Sequence, residues 1–196
     1  MPQPICTDFK ALNERLALPG HRGAQRRQPK QLFPIPKAKD AQESAQYVLQ
    51  TLRAKSAAMT ADQRRSYMFG TLRHISPFTL EQMIVQCFED MGYQTIAPQF
   101  EKDGGIDGAV VDHDGAKILL QTKRYSGGEA RYLVKHLRDF IAVVAQHKAQ
   151  QQAVGGFFLH TGKTGLDAHG VVAATRGLVT LFSGDTLLDL LLRPTD

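Results

Sequence analysis

The sequence predicts an α/β fold: a mixed central sheet flanked by helices in the order α-β-β-β-α-β-α-β-α, preceded by a small helical region. Three observations carry this. From Ser76 onward the apolar pattern alternates between helical and strand periods. Asp114-Gly115 lies between two strand-like runs and signals a hairpin, which makes part of the sheet antiparallel. The apolar run Val154–His160 sits between two helical patterns, the arrangement of a parallel crossover.

Before Ser76, Asp8–Leu18 reads as a short amphipathic helix closed by Pro19-Gly20. Asp40 caps a helix whose Ala41, Ala45, Val48, Leu49 and Leu52 share a face, and Thr60 with Gln63 has capping-box spacing ahead of another. Ser76-Pro77 then opens a helix that Gly92 stops. Strands are expected at Tyr93–Ala97, Gly105–Asp112 and Ala116–Arg124, and a long helix at 129–150 with Leu133, Leu137, Phe140, Ile141 and Val144 in register. After the strand at Val154–His160 come a helix near Leu166–Thr175, a strand at Leu178–Phe182 and a Leu-rich helix from Asp185. The expected division is 1–75 as a basic, mostly helical region and 76–196 as the α/β domain.

Composition excludes several classes. Of 196 residues, 42% are hydrophobic and 22% charged, so the chain is an ordinary globular protein rather than a disordered one or a rod. No apolar run is long enough to span a bilayer, Met1–Lys10 lacks a secretory pattern, and two cysteines make no disulfide framework. A cytoplasmic location is expected. Net charge is +5, unevenly spread: residues 1–75 carry 13 basic and 5 acidic side chains, and the remainder 11 and 14. The proline-interrupted stretch at about 19–39, with Arg22, Arg26, Arg27 and Lys30, reads as an extended arm toward a polyanion or as a solvated linker.

Strand alternation puts Gln121 and Lys123 on one face, with Thr122 on the other. The face of Asp107 depends on the turn. A two-residue loop pairs it with Thr122, whereas a three-residue loop, His113-Asp114-Gly115, pairs it with Gln121. The second suits the residues better, because such loops place glycine at a left-handed final position. One carboxylate, one amide oxygen and one ammonium then converge. Glu81 lies on the apolar face of the preceding helix, where a carboxylate is costly unless paired. It is expected either to form a buried salt bridge with Lys123 or to act as a second acid near a metal. The types suit phosphodiester hydrolysis with Mg²⁺, or Mn²⁺ in its place: Asp107 as main ligand, the Gln121 oxygen or the Thr122 carbonyl beside it, and Lys123 on the attacking water or the developing charge. Arg124, Arg131 and Lys163 flank this set and are candidates for phosphate contact. Gly162-Lys163-Thr164 resembles a P-loop, but position 157 is Phe where that motif requires glycine, so an ATPase is rejected.

The runs Phe78-Thr79-Leu80-Glu81-Gln82-Met83, Met91-Gly92-Tyr93, Asp103-Gly104-Gly105-Ile106-Asp107-Gly108 and Leu120-Gln121-Thr122-Lys123-Arg124-Tyr125 resemble the catalytic domain of Mrr-type restriction endonucleases, within the PD-(D/E)xK nuclease superfamily. The resemblance covers about 74–192. It implies a restriction-endonuclease-like fold and a metal-dependent DNA endonuclease with Asp107 as metal-binding acid, Gln121 in place of the usual acid, Lys123 as catalytic lysine and Glu81 as the helix glutamate. It implies double-stranded DNA as substrate and a homodimer. The alternatives are a module that keeps the fold without chemistry and binds DNA or a partner, or a recombination nuclease acting on branched DNA.

Overall fold

The computed structural model describes residues 41–96, 105–126, 130 and 132–193. In these, α1 (Ala41–Ser56), α2 (Ala61–Leu72) and α3 (Pro77–Asp90) lead into β1 (Gln94–Ile96), β2 (Gly108–Val111) and β3 (Lys117–Lys123). There follow α4 (Leu133–Ala149), β4 (Gly155–His160), α5 (Leu166–Ala173), β5 (Val179–Phe182) and α6 (Gly184–Leu192). The order expected from Ser76 onward is the one observed. The helix expected at Asp8–Leu18 and the basic arm at 19–39 lie outside the described residues.

The local signals act as their chemistry requires. Thr60 and Gln63 form the reciprocal capping box at the start of α2, and Ser76 Oγ accepts the Thr79 N–H ahead of Pro77 in α3. The five strands lie in sequence order. β1, β2 and β3 are antiparallel neighbours, and β3, β4 and β5 are parallel, joined through α4 and α5.

Strand alternation sorts side chains into two cores. Val110, Leu120 and Leu159 bury against α1, α2, α3 and α6; Ala109, Leu119, Phe158 and Val179 bury against α4 and α5. The first core draws on helices from both sides of residue 75. Ala45, Val48 and Leu52 of α1 and Met68 and Leu72 of α2 pack with Leu80, Met83 and Ile84 of α3, so no packing boundary falls between 75 and 76. The apolar stripes of α1 and α2 are too wide to leave in water, and α3 and α6 cover them. Arg53 reinforces the layer, pairing with Asp90 at 2.9 Å and donating to the Leu191 carbonyl at 3.0 Å. Cys87, pushed up to about 12 by burial, is a core residue beside Phe88. No helix among the described residues is long and apolar enough to cross a membrane.

Candidate active site

Everything about the site depends on the β2–β3 register. Gly108 pairs with Leu120 and Val111 with Lys117; beyond them the Asp112 N–H donates to the Ala116 carbonyl at 3.1 Å. The loop is therefore the three-residue one, with Gly115 left-handed at φ +81°. Asp112 Oδ1 accepts the Asp114 and Ala116 N–H groups and holds it closed. Continued one residue past Gly108, the register sets Asp107 opposite Gln121, and the Asp107 N–H donates to the Leu120 carbonyl at 2.9 Å. Asp107, Gln121 and Lys123 then share the sheet face that carries Leu119 and α4.

Each side chain is held differently. Asp107 is half-buried, and its Oδ2 accepts the Thr122 N–H at 2.6 Å. Desolvation pushes its carboxyl pKa up, opposed by that N–H and by Lys123. Gln121 is buried, at 5% exposure. Its Nε2 donates to the Gly105 carbonyl in a short contact, which settles the amide orientation, since a carbonyl cannot pair with Oε1. Oε1 is thus turned away from Gly105, and it is buried without a hydrogen-bond partner among the described residues. A buried amide oxygen left bare is costly unless something electropositive meets it. Gly105 takes φ +90°, and a Cβ there would lie 2.8 Å from Gln121 Nε2, so only glycine permits this arrangement.

Glu81 sits in the second turn of α3 and is half-buried. Its pKa rises from the ordinary 4.5 to about 7, first through desolvation and then through the negative charge of Asp107, with Lys123 opposing. The three charges therefore lie near one another. Among the described residues, however, no ion pair joins them: the pairs present are Arg53–Asp90, Arg65–Asp185 and Lys135–Asp139. The expected salt bridge between Glu81 and Lys123 does not form.

A stability prediction follows. Between pH 4.5 and about 7 the folded protein holds a proton on Glu81 that the unfolded chain has lost. Stability from this source is full below 4.5 and is lost as pH rises through 7. In chelator, Glu81→Gln should therefore show a shallower fall in Tm from pH 5 to 8 than the parent and a higher Tm at pH 8. Parallel Tm curves for the two proteins would refute it.

The donor set fits a hard divalent cation. It offers a bare buried amide oxygen from Gln121, the Asp107 carboxylate and the nearby Glu81 carboxylate, all oxygens. Among the described residues no group of three or more His, Cys, Asp or Glu is placed to hold a metal.

The remaining candidates divide. Thr122 is buried and supplies the N–H that Asp107 accepts. Lys163 is exposed in the loop after β4, whose His160 pairs with Lys123, so it stands at the site's end of the sheet. Arg124 is half-buried, and its Nη1 donates to the Arg73 carbonyl at 2.7 Å, at the end of α2. Arg22, Arg26, Arg27, Lys30 and Arg131 lie outside the described residues. Sequence reading missed the Gly105 carbonyl as the group that orients Gln121. It also missed Tyr125 and His136, whose side chains bond across the β3–α4 connection. No periodicity signals that contact; only the bulk of Tyr125 directly after Lys123-Arg124 hints at it.

A restriction endonuclease family model, Mrr_cat, matches residues 72–191. Among solved structures, the chain is similar to the MspJI restriction endonuclease in complex with a 27-mer oligonucleotide, at 20% identity and a TM-score of 0.40. That match covers 81% of this chain and 32% of the other, so the chain spans about a third of its length. No curated protein matches. With the family model spanning more than half of its residues, the chain belongs to the Mrr_cat restriction endonuclease family.

Proposed function

We propose that this chain is a divalent-metal-dependent endonuclease that hydrolyses phosphodiester bonds in double-stranded DNA, in a restriction or defence setting or on a mobile element. The observation that carries the reading is the β2–β3 register, which sets Asp107 opposite Gln121, whose Nε2 is tied to the Gly105 carbonyl and whose Oε1 is left bare among the described residues, with Lys123 two residues on. Asp107, Gln121 Oε1, Glu81 and the Thr122 carbonyl would hold Mg²⁺, with Mn²⁺ as substitute. When bound, the ion supplies a lower pKa for the attacking water and positive charge against the phosphate.

The chain's own residues do the rest. Lys123 brings an ammonium to the reacting phosphate, where it orients the water or meets the charge that grows on the oxygens. Glu81, titrating near neutrality, holds or releases a proton at working pH. A bond forms from the water oxygen to phosphorus while the bond to the leaving sugar oxygen breaks, and that oxygen ends protonated. Lys163 supplies charge to the flanking backbone, as would the basic arm. Two such sites on a homodimer would cut both strands.

The test is nicking of supercoiled plasmid with Mg²⁺ or with chelator, by wild type and by Lys123→Ala. Metal-dependent nicking by the wild type alone supports the reading; equal traces from both proteins defeat it. A second variant addresses the loop before Asp107. Gly105→Ala forces an L-residue to φ +90° and pushes a methyl to 2.8 Å from the Gln121 amide nitrogen. Cleavage should fall by about one to two orders of magnitude, because a displaced ligand loses the reacting geometry. Near wild-type cleavage by this variant would show that the amide orientation is not used.

A further inference from the structure

On the face shared by Asp107, Gln121 and Lys123, a second polar pair stands beside the proposed nuclease site. Tyr125 follows Lys123 by two residues, and His136 lies in the first turn of α4. Tyr125 Oη and His136 Nδ1 are 2.9 Å apart, with the rings nearly parallel at 20°. Lys123 lowers the His136 pKa, after desolvation, which places the imidazole within reach of the ammonium's field.

Tyr125 is fixed on every side. Its N–H donates to Thr161 Oγ1 at 2.8 Å, and Thr161 Oγ1 donates back to the Tyr125 carbonyl at 3.4 Å. Its ring meets the buried His160 edge to face, with centroids 5.7 Å apart. Position 162 must be glycine to admit the ring: a Cβ there would lie 2.9 Å from Tyr125 Cδ2. A phenol clamped this way presents its hydroxyl in one direction, toward His136.

The hydrogen-bond arithmetic then sets the imidazole. Tyr125 keeps its proton, since burial raises its pKa to about 12. Among the described residues His136 Nδ1 is the acceptor within reach of that proton. With Tyr125 Oη as the donor, Nδ1 accepts and the hydrogen of a neutral imidazole resides on Nε2, the tautomer that the NMR measurement below reads directly. His136 is half-exposed, and Nε2 has no partner among the described residues. Two neighbouring donors, the Lys123 ammonium and the His136 Nε2–H, thus stand open together. Their complement is an anionic oxygen.

We propose that His136 is a substrate-contacting residue: its Nε2–H, aimed by the Tyr125 hydroxyl, donates to a non-bridging oxygen of a DNA phosphate beside the scissile one. The proposal rests on the nuclease reading above and deepens it, making His136 a phosphate-positioning group and Tyr125 the residue that orients it.

Two measurements test it. Nitrogen NMR of histidine-labelled protein without DNA should show the Nε2–H tautomer for His136, and a mixture of tautomers in Tyr125→Phe, which keeps the ring and loses the hydroxyl. Binding of a short DNA duplex is then measured in the Lys123→Ala background. His136→Ala should weaken it about tenfold, the effect of one hydrogen bond to a charged group. His136→Gln, whose amide nitrogen reaches the Nε2 position, should restore most of it, with equal Tm values showing that the fold is intact. An Nδ1–H tautomer in the wild type, or unchanged duplex binding together with unchanged cleavage in His136→Ala, overturns the proposal. If wild type and Lys123→Ala nick plasmid alike, the nuclease reading fails, whereas Lys123-dependent nicking indifferent to His136 fails this inference alone.

Discussion

Asp107→Asn should abolish measurable divalent-cation binding and lower Mg²⁺-dependent cleavage by roughly 10³–10⁴-fold, the several kcal/mol a bound ion contributes to a phosphoryl transition state. The substitution isolates charge from structure. An asparagine Oδ1 can still accept the Thr122 N–H, and the backbone bond from residue 107 to the Leu120 carbonyl is untouched, so the β2–β3 register persists. What disappears is the fixed negative charge. Gln121 contributes a neutral oxygen, and Glu81 loses the part of its pKa rise that the Asp107 charge supplies but keeps the larger part, which comes from desolvation. In a site with two anionic ligands, losing one leaves another; here Asp107 is the principal anion, and its loss leaves a cation little to hold. Calorimetric titration with Mn²⁺ and plasmid cleavage by the same preparation measure both effects. Cleavage within tenfold of wild type would mean that the metal is held elsewhere.

What could be read from the sequence, and what could not, follows from the range of each interaction. The hairpin is legible because it is local: Gly115 at the left-handed position selects three residues over two, and that choice alone turns Asp107 toward Gln121, while the Asp112 carboxylate that closes the loop shows only in the structure. Capping at Thr60 and Ser76 was legible for the same reason. The start of β2 was placed too early. Gly105 carries the chain through φ +90° and gives its carbonyl to the Gln121 side chain, so the ladder begins only at Gly108. That exchange links residues 16 apart, and no pattern in either segment announces it. Arg124 makes another contact of this long range. Its charge points to phosphate, while the contact it makes, with the Arg73 carbonyl, joins residues 51 positions apart. The joining of α1 and α2 to the α/β core was half legible: their apolar stripes demanded a partner, and the change in charge near residue 75 hid which one.

Lys123→Ala should separate chemistry from metal binding by moving the two in opposite directions. Cleavage should fall by roughly 10²–10³-fold, the usual loss when one group that stabilises developing charge is removed. Cation affinity at pH 8.5 should rise, because the ammonium repels a divalent ion from the oxygens it approaches. Lower in the pH range the sign reverses. Lys123 holds down the pKa values of both Glu81 and Asp107, so without it each carboxylate keeps its proton to higher pH and competes with the ion. The affinity ratio of variant to wild type should therefore fall as pH drops from 8.5 toward 6.5. A lysine serving only as counter-ion to Glu81 would sit in contact with it, and no such pair forms. Its carbonyl is anchored by the Thr161 N–H at 3.2 Å, which fixes the root of the side chain while its tip has no partner among the described residues. A fixed root and an open tip are what a group that meets substrate requires. Titration of Mn²⁺ across this pH range, beside single-turnover cleavage at each pH, checks the crossing; parallel losses of affinity and rate at every pH would make Lys123 a structural residue instead.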